Sequence, residues 1–164
     1  DQNNHGICNA SPKFNWGPVA VTKEELTRRF HLWAERKSKL EGKPRAELNM
    51  ALVTDIRITQ PNRWGRPTRF SVVDARENVY SWSGEELRTA VNTDAPRDAI
   101  LYSSFFKIIN DPGGPIRFVE GHGFGHGVGM CQWCAQRRAE EGMRHEDIVM
   151  AAFQHAKLMK AYDY

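Results

Sequence analysis

The 164 residues suit one ordinary domain, and 40% hydrophobic with 26% charged residues describes a globular chain with enough apolar material for a core. No apolar run approaches the ~18 residues of a membrane-spanning helix, so a span is excluded. Lys+Arg 23 against Asp+Glu 20 leaves +3, intermixed along the chain, without the basic block of a dedicated nucleic-acid binder. The sequence begins at Asp1 rather than Met, as expected of a processed chain or of a piece of a longer one.

In chain order, residues 1–20 are rich in Asn, Gly and Pro and read as an irregular leading segment. Thr22 and Glu25 have the spacing of a capping box. Leu26, Phe30, Trp33 and Leu40 fall on one face at helical spacing. A helix is predicted over 23–39, ended by Gly42 and Pro44. Leu52, Thr54, Ile56 and Ile58 alternate with Val53, Asp55 and Arg57, the pattern of a half-buried strand over 51–59. Further strands are expected at 68–73 and 78–82, with 61–67 a loop. Ser83 and Glu86 form a second capping box, opening a short helix through Leu87 and Val91. A strand over 103–109, the turn Asp111–Gly114 and a partner over 116–119 read as a hairpin. Helices are expected at about 130–141 and 146–157, with Ile148, Ala152 and Phe153 sharing a buried face in the second. No internal repeat is visible. The fold class is α+β: one region over 1–164, a small antiparallel sheet with helices packed near both ends.

The most informative stretch runs from Gly121 to Trp133, with glycine at every second position from 121 to 129. Glycine raises the entropy cost of ordering a segment, so such a run marks close approach of the backbone to packed core or to a ligand. All five glycines are odd-numbered, so the dinucleotide pattern GxGxxG cannot occur; GxxxxGK[ST] and HExxH are absent too. His122 and His126 have the i,i+4 spacing of a helical metal pair, but Gly123 and Gly125 between them disfavour a helix. Two readings stay open. In one, the histidines make structural hydrogen bonds within a packed loop. In the other, His122, His126 and Gln132 line a cleft and orient a polar substrate whose bulk the glycines admit.

The string GHGFGHGVGMCQWCA resembles the signature of the stage II sporulation protein D / amidase enhancer family, close to G-x-G-x-GHGVGM-S-Q-W/Y-G-A. The match takes in Gly125 to Met130, Gln132, Trp133 and Ala135. Weaker likeness extends over about 16–162: a Trp16 approach to a helix, Gly65–Arg66, the run from Trp82 to Arg88, and Gly142 with His145 to Ile148. The resemblance implies bacterial cell-wall work outside the cytoplasm. Characterised members are lytic transglycosylases that cut peptidoglycan glycan strands stripped of stem peptides, and relatives enhance wall amidases. It further implies that the segment 121–135 meets the glycan, through Gly125, Gly127, His122, His126, Gln132 and Trp133.

Lytic transglycosylation needs a carboxylic acid that protonates the glycosidic oxygen and then, as carboxylate, assists attack by the sugar's own 6-hydroxyl. The family's catalytic Glu sits in a P-S-E-M motif ahead of an A-x-A-A-R-T helix, and neither occurs in this sequence. The chain is therefore expected to be the C-terminal portion of a larger catalytic domain, with its N-terminal part a packing partner and the acid upstream. Glu120, just before the glycine run, is the one local candidate, although a Glu at a strand end is commonly a solvated charge. Glu85 and Glu86 are accounted for by helix capping.

Three cysteines remain. Cys131 and Cys134 form C-x2-C, and His5 with Cys8 forms H-x2-C, the ligand types and spacing of a structural zinc site. Positions 131 and 134 depart from the family's Ser and Gly. A disulfide from Cys8 to one of the pair, suited to an oxidising envelope, is the rival, and three unlinked thiols the third alternative. Three functions follow: part of a transglycosylase, a non-catalytic wall-binding or amidase-enhancing module, and a zinc-stabilised structural domain. Among the tryptophans, Trp16, Trp64 and Trp133 are candidates to stack on sugars, whereas Trp33 and Trp82 fit the core.

Overall fold

The computed structural model describes residues 11–153 and 155–159. Helix α1 (Lys23–Glu41) starts where Thr22 Oγ1 accepts the Glu25 amide at 3.2 Å and stops at Gly42, whose φ of 67° is left-handed. Leu26, Phe30, Trp33 and Ala34 form its buried face. Leu40, expected on that face, is instead 81% exposed and lines an open recess between helices rather than the core.

Strands β3 (Val53–Pro61), β4 (Pro67–Asp74) and β5 (Val79–Ser83) follow one another in an antiparallel sheet. The expected alternation in β3 does not hold. A register shift between Val53 and Asp55 puts Val53 and Ile56, three residues apart, both into the core. An inserted residue reverses the sidedness of what lies beyond it; Leu52, ahead of the strand, and Ile58, next to a second shift before Gln60, are partly exposed. Helix α2 (Gly84–Asn92) opens with the full capping box: Ser83 Oγ accepts the Glu86 amide, and Glu86 Oε2 accepts the Ser83 amide at 2.8 Å. Arg29 ties α1 to α2 by donating to Glu25 and to the Val91 carbonyl.

Strands β6 (Lys107–Asn110) and β7 (Ile116–Val119) make the expected hairpin. The strand predicted from 103 begins only at Lys107: Ser103 and Ser104 are buried, with Ser103 bonded to the glycine run and Ser104 to the Arg66 side chain instead. The described part of the leading segment is not irregular throughout. It carries β1 (Asn15–Trp16), paired with β8 (Gly121–His122), and the beginning of β2 (Val19–Val21), paired with β7. Those partners lie about a hundred residues away, so no local pattern announces them.

Helices α3 (Gln132–Glu140) and α4 (His145–Ala152) are the last elements among the described residues. Helix α3 buries no residue and α4 buries only Ile148, with Phe153 41% exposed, so the shared apolar face expected in the last helix shrinks to one side chain. The architecture is α+β, its strands divided among three small antiparallel sheets rather than gathered in one. Trp82, Phe30, Phe70 and Phe118 are the largest fully buried side chains, and Trp33 packs on Trp82 with ring centroids 5.0 Å apart. No helix among the described residues is long and apolar enough to cross a membrane.

Candidate functional site

The glycine run leaves β7 through Glu120, itself at φ 49°, and is fastened to the framework by its backbone. The His122 amide donates to the Phe105 carbonyl at 2.8 Å, Gly123 to Phe14 at 2.9 Å, and Gly125 to Tyr102 at 2.8 Å. Ser103 Oγ donates to the His122 carbonyl, and Trp16 Nε1 to the Gly123 carbonyl at 3.0 Å. Gly121 lies flat on the Trp16 indole: a methyl there would stand 2.3 Å from Cδ2. Gly123, Gly125 and Gly127 have φ of 72°, 98° and 74°, a region that side chains with a Cβ rarely adopt.

With the backbone so anchored, the residues between the glycines face outward. His122, Phe124, His126 and Val128 are all exposed, Phe124 at 74% and Val128 at 82%. Phe124 rests against Tyr102 at a centroid distance of 5.9 Å. The two imidazoles are oriented by different partners. His122 Nδ1 lies 2.8 Å from Asn15 Oδ1; a carbonyl oxygen only accepts, so this nitrogen carries a proton, and in the neutral ring Nε2 is the acceptor. His126 Nδ1 accepts the Val128 amide at 2.9 Å, which leaves the proton on Nε2 as a donor. The run thus offers a donor, an acceptor and two apolar surfaces on one ordered segment. One nitrogen of each ring is held by the fold, and the other has no partner among the described residues.

Beneath the run lies Arg66, from the tight turn between β3 and β4. Asn62 shapes that turn by accepting the amides of Trp64 and Arg66 on its Oδ1, each at 3.0 Å. Arg66 Nη2 donates to the Gly125 carbonyl at 3.0 Å and to Ser104 Oγ at 3.3 Å. A methyl on Gly127 would stand 2.3 Å from Arg66 Nη1, so the guanidinium would have to shift to admit one, and the φ of 74° disfavours a side chain as well. Residue types alone assign no role to Arg66, Asn15, Ser103 or Ser104. The one available signal was Arg66 within the Gly65–Arg66 likeness.

Of the remaining expected site residues, Gln132 and Trp133 open α3 and are exposed, Trp133 at 39%. Trp64 is also exposed, with the Arg63 guanidinium 3.9 Å from its ring centroid. Trp16 is not available for stacking: it is buried between Tyr102 and Phe106. Asn15, Trp16 and Tyr102 line an open recess of 440 Å³ beside β1. A recess of 460 Å³ between α1 and α2 has no lining residue from 121–135.

Glu120 is solvated and pairs with Lys107 Nζ at 2.6 Å, the opposite of the dry setting a catalytic acid requires. Two carboxylates that are buried are held ionised. Burial pushes Glu47 up, but hydrogen bonds from Arg45 and Trp82 Nε1 outweigh it and keep its pKa below the usual range. Asp74 is likewise raised by burial yet lowered overall by the Asn78 side chain and the amides of Ala51, Asn78 and Arg76. Glu86 serves the α2 cap and Glu85 is bound by Arg88.

His5 and Cys8 lie outside the described residues. Cys134 is disulfide-bonded, and Cys131 is exposed at the start of α3. A disulfide sulfur has no thiolate to give a metal, so in this state Cys134 is not a zinc ligand. No group of three or more His, Cys, Asp or Glu among the described residues is placed to hold a metal ion. No protein-family model matches this chain, and no curated protein matches it either.

Proposed function

We propose that this chain binds the glycan strands of bacterial peptidoglycan through the segment 121–135, as the glycan-gripping part of a lytic transglycosylase domain. The observation that carries the reading is the anchored glycine run. Its backbone is tied down by Phe14, Tyr102 and Phe105, while His122, Phe124, His126 and Val128 stand outward with unspent donor, acceptor and apolar surface. Sugars present hydroxyls around apolar ring faces, and a surface alternating in these groups matches them. The likeness of 121–135 to the stage II sporulation protein D / amidase enhancer signature supports the same substrate. The disulfide at Cys134 suits an oxidising, extracytoplasmic location in the cell envelope.

In transglycosylation the acid's proton passes to the leaving glycosidic oxygen. The 6-hydroxyl oxygen then bonds to the anomeric carbon and returns its proton to the carboxylate, with no water consumed. Glu120 is exposed and ion-paired, and Glu47 and Asp74 are kept ionised. These settings favour gripping over cutting for the described residues, and they support the second reading, a binding or amidase-enhancing module. Incubation with purified denuded glycan strands tests the proposal, with bound strand and 1,6-anhydromuramoyl ends both measured. Binding without product is expected from this chain. Failure to retain strands at any concentration up to the millimolar range overturns the proposal, and product formation overturns the non-catalytic reading.

A further inference from the structure

A guanidinium drawn out of water is ordinarily matched by a carboxylate, and Arg66 is not. Burial lowers its pKa; the charge of Glu85 acts the other way without offsetting it, and the charge of Arg88 adds a smaller lowering. Glu85 is itself forked to Arg88, with Arg88 Nε 3.0 Å from its Oε2. Two cations and one carboxylate thus share this corner. Among the described residues no Asp or Glu lies within ion-pair distance of Arg66. Its only side-chain hydrogen bonds there go through Nη2, to two neutral oxygens, leaving Nη1 and Nε without a described acceptor.

The position is built rather than incidental. The Asn62 turn fixes the backbone of Arg66, and glycine at 127 allows the run to lie directly against the guanidinium. The group is therefore held under the same segment whose side chains face outward. A guanidinium presents paired N–H donors in a rigid fork that fits a carboxylate.

We propose that Arg66 is the carboxylate subsite of the glycine run and receives the free lactyl carboxylate of a muramoyl residue. This rests on the glycan-binding reading above. A muramoyl residue bears that carboxylate only when no stem peptide is amide-linked to it. Arg66 would then select peptide-free strands, acting as a specificity-determining residue and not as a proton donor.

Titration calorimetry on the full chain with three probes tests this: denuded strands, the same strands with their carboxyls methyl-esterified, and N-acetylglucosamine oligomers of equal length. Esterification is expected to weaken binding at least about tenfold, the range for loss of one charge-assisted pair. Arg66→Gln is expected to bind denuded strands as weakly as the parent binds esterified ones, and to bind esterified strands as the parent does. Arg66→Lys, which keeps charge but not the fork, should recover part of the preference. Equal affinity of the parent for acid and ester strands overturns the proposal while leaving glycan binding intact, and this arm needs no substitution. A folded Arg66→Gln that retains the full preference for the acid also overturns it. Absence of binding to all three probes defeats the glycan reading and this subsite together.

Discussion

Replacing Gly121 by Ala should destabilise the fold through one identifiable contact. The added methyl would stand 2.3, 2.4 and 2.5 Å from Cδ2, Cε2 and Cε3 of Trp16, against a comfortable carbon–carbon separation of about 3.5–4.0 Å. The indole cannot yield cheaply. Tyr102 and Phe106 meet it edge-on at 6.1 and 5.9 Å, and its Nε1 is bonded to the Gly123 carbonyl. Overpacking of this kind costs about 1–3 kcal/mol, and tilting the ring forfeits a hydrogen bond of about 1 kcal/mol. A total near 3 kcal/mol lowers the melting temperature by roughly 6–12 °C at this chain length. Thermal and urea denaturation measure it. Trp16→Phe should relieve part of the cost, so the double variant should be more stable than the sum of the single effects by about 1–2 kcal/mol. Gly123→Ala is the control: nothing lies within 4 Å of its added methyl, so it has no clash with the indole, and its φ of 72° sets a cost of about 1–2 kcal/mol. A Gly121→Ala protein that melts with the parent, or strict additivity with Trp16→Phe, would falsify the steric account.

Gly129 is not in the left-handed region and an added methyl would meet only His126 Cε1 at 3.7 Å, so Gly129→Ala should melt within about 1 °C of the parent. If glycan contacts the backbone there, retention of denuded strands falls; unchanged retention removes Gly129 from the interface. Asp74 gives a pH dependence with a definite sign. Its folded pKa lies below the unfolded value of about 3.9, so its contribution is complete above that pH and is lost as the pH falls toward the folded value. Urea midpoints measured from pH 6 down to 3 should therefore fall more steeply for the parent than for Asp74→Asn; parallel slopes contradict this. For the disulfide, Cys134→Ser should destabilise the oxidised protein by about 2–5 kcal/mol. One zinc per chain in the purified protein, with Cys134 reduced, would instead favour the His5–Cys8–Cys131–Cys134 cluster.

Local chemistry made part of this molecule legible in the sequence. Thr22 and Ser83 with their glutamates three positions on announce α1 and α2, because a helix start must satisfy its own free amides from nearby side chains. The turn from Asp111 to Gly114 likewise fixes the β6–β7 hairpin within a dozen residues of chain. That 121–129 is not a regular helix was equally readable from its five alternate glycines, whereas the direction in which its histidines face was not. What tertiary structure alone decided are the pairings that cross the chain. Trp16 meets Gly121 and Val19 meets Phe118 only after folding, so β1 and β2 carry no local mark. The shift in β3 moved Val53 and Ile56 to one side although their spacing suggests otherwise. Composition said that the run needs glycines; the fold supplied a different reason at each. Gly121 makes room for an indole, Gly123 for a backbone angle, and Gly127 for the guanidinium of Arg66, which reaches the run from a turn some sixty residues earlier.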